Sequence, residues 1–456
     1  MFRTGITARL MQHFFRRLFD NDVLDSDGET VTTVVRALAV AASPGLILAF
    51  FLQNSYPQRS TWGRIEDQLF FVLFSFAAMA GVAIFQWEML FPERLDFLVL
   101  APLPLRPGQL LAGKALALSG FLGLFLIASN LFGALMLPAV SKGAFWRMVW
   151  AQSIAAGLAG VFAASAVVAA GAVLLCVVPP VVFRRVLWVL QVLGTAVLGL
   201  LMIAYARFGD EIATVLEHPG WVVRFVPPIW FLGMYQRLLH GAEAQAFAQM
   251  AAHRAWVATG VAIASASLCY PLAWIRMQRM AVQGEATHAL RPSRWGSQAQ
   301  THLIPKQTER AIFSFIGKTM SRNSRYQVYV AMYCGVGLAL AISCSTGIAG
   351  RGGGRHVVLS RFGLHAVLPL LLFWAVAGLH ATFAVPQILP ARWIFRVAGV
   401  DFHACVQATR HWVVMIGCLL VTFTSLVCGR LHWGWRPLLV QAVWGVCFCV
   451  VLVESF

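Results

Sequence analysis

Apolar and polar positions in this chain come in blocks and do not alternate residue by residue. Ten apolar runs, at 34–52, 69–91, 110–137, 148–178, 186–206, 255–275, 328–349, 362–385, 412–428 and 438–453, are separated by stretches that carry most of the charge. Each is near the roughly 20 residues whose helical length matches about 30 Å of hydrocarbon. A run apolar on every side suits a helix surrounded by lipid or protein, so each is expected to span a membrane. The fold class that follows is all-α, a polytopic transmembrane helical bundle of about ten spans. Two connections are long. Residues 207–254 contain VRFVPPIWFLGMYQRLLHG, in which Phe225, Trp230, Phe231 and Tyr235 surround a Pro-Pro pair. This stretch is expected to rest at the outer interface, where Trp and Tyr are favoured, with a substrate-facing lid as the alternative. Residues 276–327 form a basic cytoplasmic linker between a first transmembrane half, 34–275, and a second, 328–456.

The break at 88–114, EMLFPERLDFLVLAPLPLRPGQLLAGK, is the most informative interruption. Pro92, Glu93 and Asp96 fit a helix start, because proline is tolerated in a first turn and acids are favoured at the positive end of the helix dipole. Leu95, Leu98 and Val99 fall at i, i+3 and i+4, which gives a short helix one apolar side, with Glu93, Arg94 and Asp96 crowding its start. Pro102, Pro104 and Pro107 end it and favour extended chain before the next span. After the eighth run, VPQILPARWIFRVAGVDFHACVQATRHW makes a weaker copy through Pro386, Pro390, Arg392, Trp393, Arg396 and Asp401. It reads either as a diverged repeat or as an ordinary basic interfacial loop.

Over residues 67–125, the charged cluster, the D-F-L-x-L-A-P-L-P-L helix and turn, and the R-P-x-x-L-x-x-x-K lead-in resemble the integral-membrane permease subunits of type-2 ATP-binding-cassette (ABC-2-like) exporters. The resemblance implies that segment 92–109 is cytoplasmic and docks on a separate ATP-binding-cassette ATPase subunit, with Glu93, Arg94, Asp96, Leu98 and Arg106 as docking residues. It also implies export across the cell (inner) membrane, and assembly as a homodimer or heterodimer. Ten spans exceed the six usual for that family, and the large outer loop expected there is modest here. Two other functions compete: a membrane enzyme acting on a lipid-linked substrate, and a non-transporting membrane scaffold.

Composition agrees with the pattern: 59% of the 456 residues are hydrophobic, 12% are charged and mean hydropathy is +0.73, which excludes an ordinary soluble domain. Net charge is +17, and with the N-terminus inside, 22 of the 35 Lys and Arg fall in cytoplasmic loops. That charge reads as topology and membrane-lipid contact, with no nucleic-acid partner. Residues 1–33 form a cytoplasmic or interfacial segment without a signal peptide, since no apolar core follows Arg3, Arg9, Arg16 and Arg17. Within it FFRRLF at 14–19 either lies flat on the membrane with its arginines snorkelling or is a solvated tail. The chain stops three residues past the last run without a polar tail, as a chain lacking a C-terminal portion would.

Candidate chemistry is sparse. GQLLAGKA at 108–115 matches a phosphate-binding loop except at its last position. Ala115 stands where Ser or Thr would hold magnesium, and Pro107 stands where a buried strand would lead in, so Lys114 is expected to reach lipid phosphate. The glycines at 347–354, flanked by Arg351 and Arg355, read as a flexible turn. Glu88, His365 and His380 are the candidate polar groups in or beside spans. Glu88 is expected to pair with Arg94 or water, and the histidines to hydrogen-bond between helices. No catalytic residue, cofactor or metal site is expected, and the nine cysteines, without C-x-x-C spacing, read as small buried residues. Ala156, Gly160 and Ala164 form a small-xxx-small face that should pack closely on another helix, in this chain or a second subunit.

Both termini are expected to be cytoplasmic. A reporter active only outside the cytoplasm should be silent when fused at Phe456 and active near Gly241. Activity at Phe456 would mean that the spans are miscounted.

Overall fold

The computed structural model describes residues 5–19, 30–55, 58–91, 103–141, 143–208, 216–217, 220–283, 306–351, 354–384, 397, 399, 401–430 and 435–455. Among them nine helices are long and apolar enough to cross a bilayer: Thr61–Phe85, Pro107–Val140, Phe145–Val177, Arg185–Arg207, Ala246–Arg279, Tyr326–Ser345, Gly363–Ala384, Phe402–Val427 and Leu438–Ser455. The other expected span falls in helix Thr30–Ser55, whose described apolar stretch is Val34–Ile47. The protein is an all-α, multi-pass membrane bundle. Its chain forms two units, Met1–Arg184 with Leu201–Gly284, and Arg185–Leu200 with Glu285–Phe456.

The first unit contains α1 (Ile6–Phe19), α2 (Thr30–Ser55), α3 (Thr61–Phe85), α4 (Trp87–Leu90), α5 (Pro107–Val140) and α6 (Phe145–Val177). It continues with the ends of α7 (Pro180–Phe208), then α8 (Trp221–Phe225), α9 (Pro227–His240) and α10 (Ala246–Gln283). Local chemistry sets several boundaries. Ser60 caps α3 by accepting a hydrogen bond from the Gly63 N–H at 3.1 Å. Prolines open α5 and α9, where a missing N–H costs nothing, and Gly241, at φ 61°, closes α9.

At the centre stands α6, which packs on α3, α5, α9 and α10. Lipid gives helices no hydrophobic reason to associate, so contact depends on small residues and on hydrogen bonds between helices. Ala151, Ala155, Ala156 and Ala159 of α6 are buried against Val72, Phe231, Met234 and Tyr235. A side chain at Gly160 would collide with Leu126 and Met79. The Ser75 hydroxyl donates to the Ala156 carbonyl at 2.7 Å and accepts from Asn130 Nδ2 at 2.9 Å, joining α3, α5 and α6. The small-residue face therefore has its partner within the chain.

Two expectations are corrected in this unit. The aromatic Pro-Pro stretch does not merely lie on the surface of the bundle: α9 is inserted against α3, α6 and α10, with Phe231 and Tyr235 among the most buried side chains, while Trp221 and Phe225 are exposed. Gly233 makes the insertion possible, because a Cβ there would collide with Ala251. Lys114 does not reach out to lipid. It is 6% exposed, with its ammonium 5.0 Å from the Phe14 ring centre, because α1 lays Leu10, Phe14 and Leu18 along α5. Gly113, which sequence placed in a false phosphate loop, is the notch under Leu10.

The second unit holds the middle of α7, then α11 (Gln307–Arg322), α12 (Ser324–Ser345), α13 (Arg361–Ala384), α14 (Phe402–Arg430) and α15 (Trp435–Ser455). Its core gathers Phe313, Leu368, Leu372, Val376, Trp412, Val413, Val421 and Cys449. Gly335 of α12 lets Thr195 of α7 approach closely. The seventh run, expected as helix to residue 349, ends at Ser345. The chain then forms an antiparallel hairpin of β1 (Thr346–Arg351) and β2 (Gly354–Leu359), pairing Ile348 with Val357. The expected glycine turn is thus a hairpin whose β-branched residues favour extended chain.

Because packing at α6 depends on what fits at each glycine, Gly160→Leu is expected to destabilise the protein by about 1–3 kcal/mol through overpacking. Gly157→Leu on the same helix, where an added Cβ would meet nothing within 4 Å, should leave stability nearly unchanged. Thermal unfolding in detergent distinguishes the two, and equal losses would contradict the packing described.

Candidate functional site

Residues just ahead of the 92–109 segment are held by α6 and α10 of the first unit. Following α3, α4 presses Trp87 into the groove that Gly171 opens in α6, where a Cβ would collide with the indole. Leu90 and Phe91 are buried. The Tyr270 hydroxyl of α10 donates to the Leu90 carbonyl at 2.7 Å, and the Tyr270 ring stacks on Phe91 at 5.5 Å between centres. Arg276, farther along α10, donates to the carbonyls of Cys176 and Val178, the latter at 3.2 Å. A cation there satisfies carbonyls left over at the end of α6 and opposes the negative end of its dipole. These contacts tie α4, α6 and α10 together at the end of α6 beside which the 92–109 segment begins.

On the far side of the segment, the Arg106 backbone N–H donates to Gln109 Oε1 at 3.1 Å and Pro107 opens α5. Two turns on, α1 lies across α5 at Gly113 and Lys114. Both ends of the segment are therefore attached to packed helices, and Leu103 and Arg106 are exposed between them.

Of the residues singled out from sequence, Glu93, Arg94, Asp96 and Leu98 lie outside the described residues. Arg106 is exposed at the start of α5, and Glu88 belongs to α4, its side chain lying outside the described set. His365 and His380 occupy exposed positions of α13 in the second unit and are not sunk into the helix core. Among the described residues no three His, Cys, Asp or Glu side chains come together in a way that could hold a metal ion.

Sequence reasoning passed over a polar set near the other end of α3. Asp67 is 3% exposed, with Oδ1 3.2 Å from Arg59 Nη2. Its Oδ2 is buried with no hydrogen-bond partner among the described residues. One residue on, Gln68 Oε1 accepts from Gln236 Nε2 of α9 at 2.6 Å. Gln152 of α6 is 1% exposed, and neither amide atom has a hydrogen-bond partner among the described residues. The available signal was a Glu66-Asp67-Gln68 run one to two turns into an otherwise apolar helix, which reads as a flank when the span is started at residue 69.

No protein-family model matches the chain, nor does any curated protein or solved structure. The anchor at Tyr270 has a measurable consequence. Tyr270→Phe keeps the stack on Phe91 and removes the hydrogen bond to Leu90, a loss of about 0.6–1.7 kcal/mol for a membrane-helix hydrogen bond. If cleavage follows the open population, trypsin should cut after Arg94 roughly 3- to 20-fold faster. An unchanged rate would show that the bond does not restrain the segment.

Proposed function

We propose that the protein is the membrane permease subunit of an ATP-driven exporter, coupled to a separate ATPase subunit through segment 92–109. The observation that carries this reading is the attachment of the segment at both ends: Trp87, Leu90 and Phe91 are held by α6 and α10, and Arg106 and Pro107 lead into α5 beneath α1. A simple turn needs no such framing. A lever does, because a force on the segment moves the packed helices only if its roots are fixed. The pattern of a one-sided apolar helix with acids at its start and a proline exit suits a partner's groove. ATP-driven closure of the partner displaces the segment, and the helices of the first unit shift between two arrangements.

Reversing charge with Glu93→Lys and Asp96→Lys opposes the helix dipole and any basic groove. Partner affinity should fall about ten- to a hundredfold, equivalent to about 1.4–2.8 kcal/mol. The double variant should reach the membrane at normal levels while the ATPase no longer co-purifies. Full retention of the partner with unchanged ATPase activity would remove the docking role and favour the scaffold.

A further inference from the structure

Helix α15 has two faces. Cys449 and Leu452 are buried in the core of the second unit, while Val440, Val443, Cys447, Val450 and Glu454 recur at spacings of three and four and share the opposite, exposed face. The four apolar positions of that stripe meet lipid chains. From Val450 to Val440 they cover about 15 Å, the depth of one leaflet in about 30 Å of hydrocarbon. Trp444 and Leu439 flank the stripe and make it a shallow apolar depression. Glu454 ends it with a charge. This residue follows the apolar run 438–453, and Arg410 and His411 stand just ahead of the run 412–428, so all three lie where the two spans leave hydrocarbon. With Gln407 they border a recess of about 230 Å³, whose apolar wall is Val414, Val450 and Val453. Arg410 Nη2 lies 2.8 Å from Glu454 Oε2, and both side chains are about half exposed. An ion pair so open to its surroundings contributes little, and its members can exchange partners.

We propose that this end of α14 and α15 binds a phospholipid whose headgroup carries both a phosphate and a primary ammonium. The recess supplies one cation and one anion side by side. A phosphate matches the planar fork of the Arg410 guanidinium, with N–H donors from His411 and Gln407 alongside. The ammonium takes the place of Arg410 at the Glu454 carboxylate, so the zwitterion enters the existing ion pair and leaves no charge unmatched. A headgroup of net negative charge faces Glu454 with nothing to offset it, and a trimethylated ammonium has no N–H to donate. An acyl chain then follows Val450, Cys447, Val443 and Val440 through one leaflet. A soluble phosphate compound satisfies the charges but leaves that stripe uncovered. Segment 92–109 belongs to the other unit, so the lipid site does not depend on what docks there.

The test is lipid retention by the full chain, delipidated in mild detergent and then offered dioleoyl phosphatidylethanolamine, phosphatidylcholine or phosphatidylglycerol, with binding read from the mass of the intact complexes. The ethanolamine lipid should be held about tenfold more tightly than either of the others, the size of one charge-assisted hydrogen bond. Glu454→Gln, a change at an exposed helix end, should bring its retention down to that of the choline lipid. Arg410→Gln should weaken all three, because each carries the phosphate. Equal retention of the three lipids by the parent chain, tighter retention of the glycerol lipid, or an ethanolamine preference that survives Glu454→Gln would overturn the site. Soluble phosphoethanolamine, added at the lipid's own concentration, should not displace it. Displacement would show that the apolar stripe takes no part and would overturn the assignment to a lipid.

Discussion

How closely α3 and α6 can approach governs the first unit. In hydrocarbon neither helix gains by hiding apolar surface from the other, so their contact depends on the alanines and glycines that bring the backbones together and on the few polar groups that then find partners. Gly160 admits Met79 and Leu126, and the same proximity lets Ser75 reach the Ala156 carbonyl across the interface. Three turns farther along α6, Gly171 admits Trp87. The notch that fixes the chain before the 92–109 segment is thus an extension of the interface that holds the core together. Trp87, Leu90 and Phe91, just ahead of the segment, inherit their fixed place from that packing.

The same constraint explains α9. A helix inserted beside α3, α6 and α10 must fill a narrow space, and Gly233 supplies the flat side that meets Ala251. Its amide contact between helices, Gln236 with Gln68, satisfies polar groups that would otherwise be costly in a low-dielectric interior. Where α1 crosses α5, the same device appears at Gly113 of α5, under Leu10. Glycines that in isolation suggest a loop or a cradle act here as places where another helix, or a ring, can sit.

Spans were legible in sequence because lipid demands continuous apolar helix, which leaves a long and unambiguous signal. The small-residue face of α6 was legible for a similar reason, since Ala156, Gly160 and Ala164 recur at the spacing of one helix face. What could not be read were the short helices. The 221–240 stretch has the composition of an interfacial segment, and only three-dimensional packing reveals that Phe231 and Tyr235 point into the unit while Trp221 and Phe225 stay exposed. Lys114 looked free to reach lipid because its cover, Phe14, lies a hundred positions earlier in the chain. The hairpin at 346–359 was hidden because an apolar run of Ile, Ala and Val reads equally well as the end of a helix. At the candidate site, sequence identified the segment, while its roots at Gly171 and Tyr270 lie on distant helices that no local pattern connects to it.

Function then depends on whether the segment framed by these roots meets an ATPase. The most direct measurement is a photo-crosslink from within it: benzophenone incorporated at position 98 in place of Leu98, activated in intact membranes, and the attached protein identified by mass and by nucleotide binding. Attachment of a nucleotide-hydrolysing subunit, lost on adding Glu93→Lys and Asp96→Lys, is the expected result. A probe that reacts only with lipid or only with this chain, at full membrane levels, would contradict the coupling role.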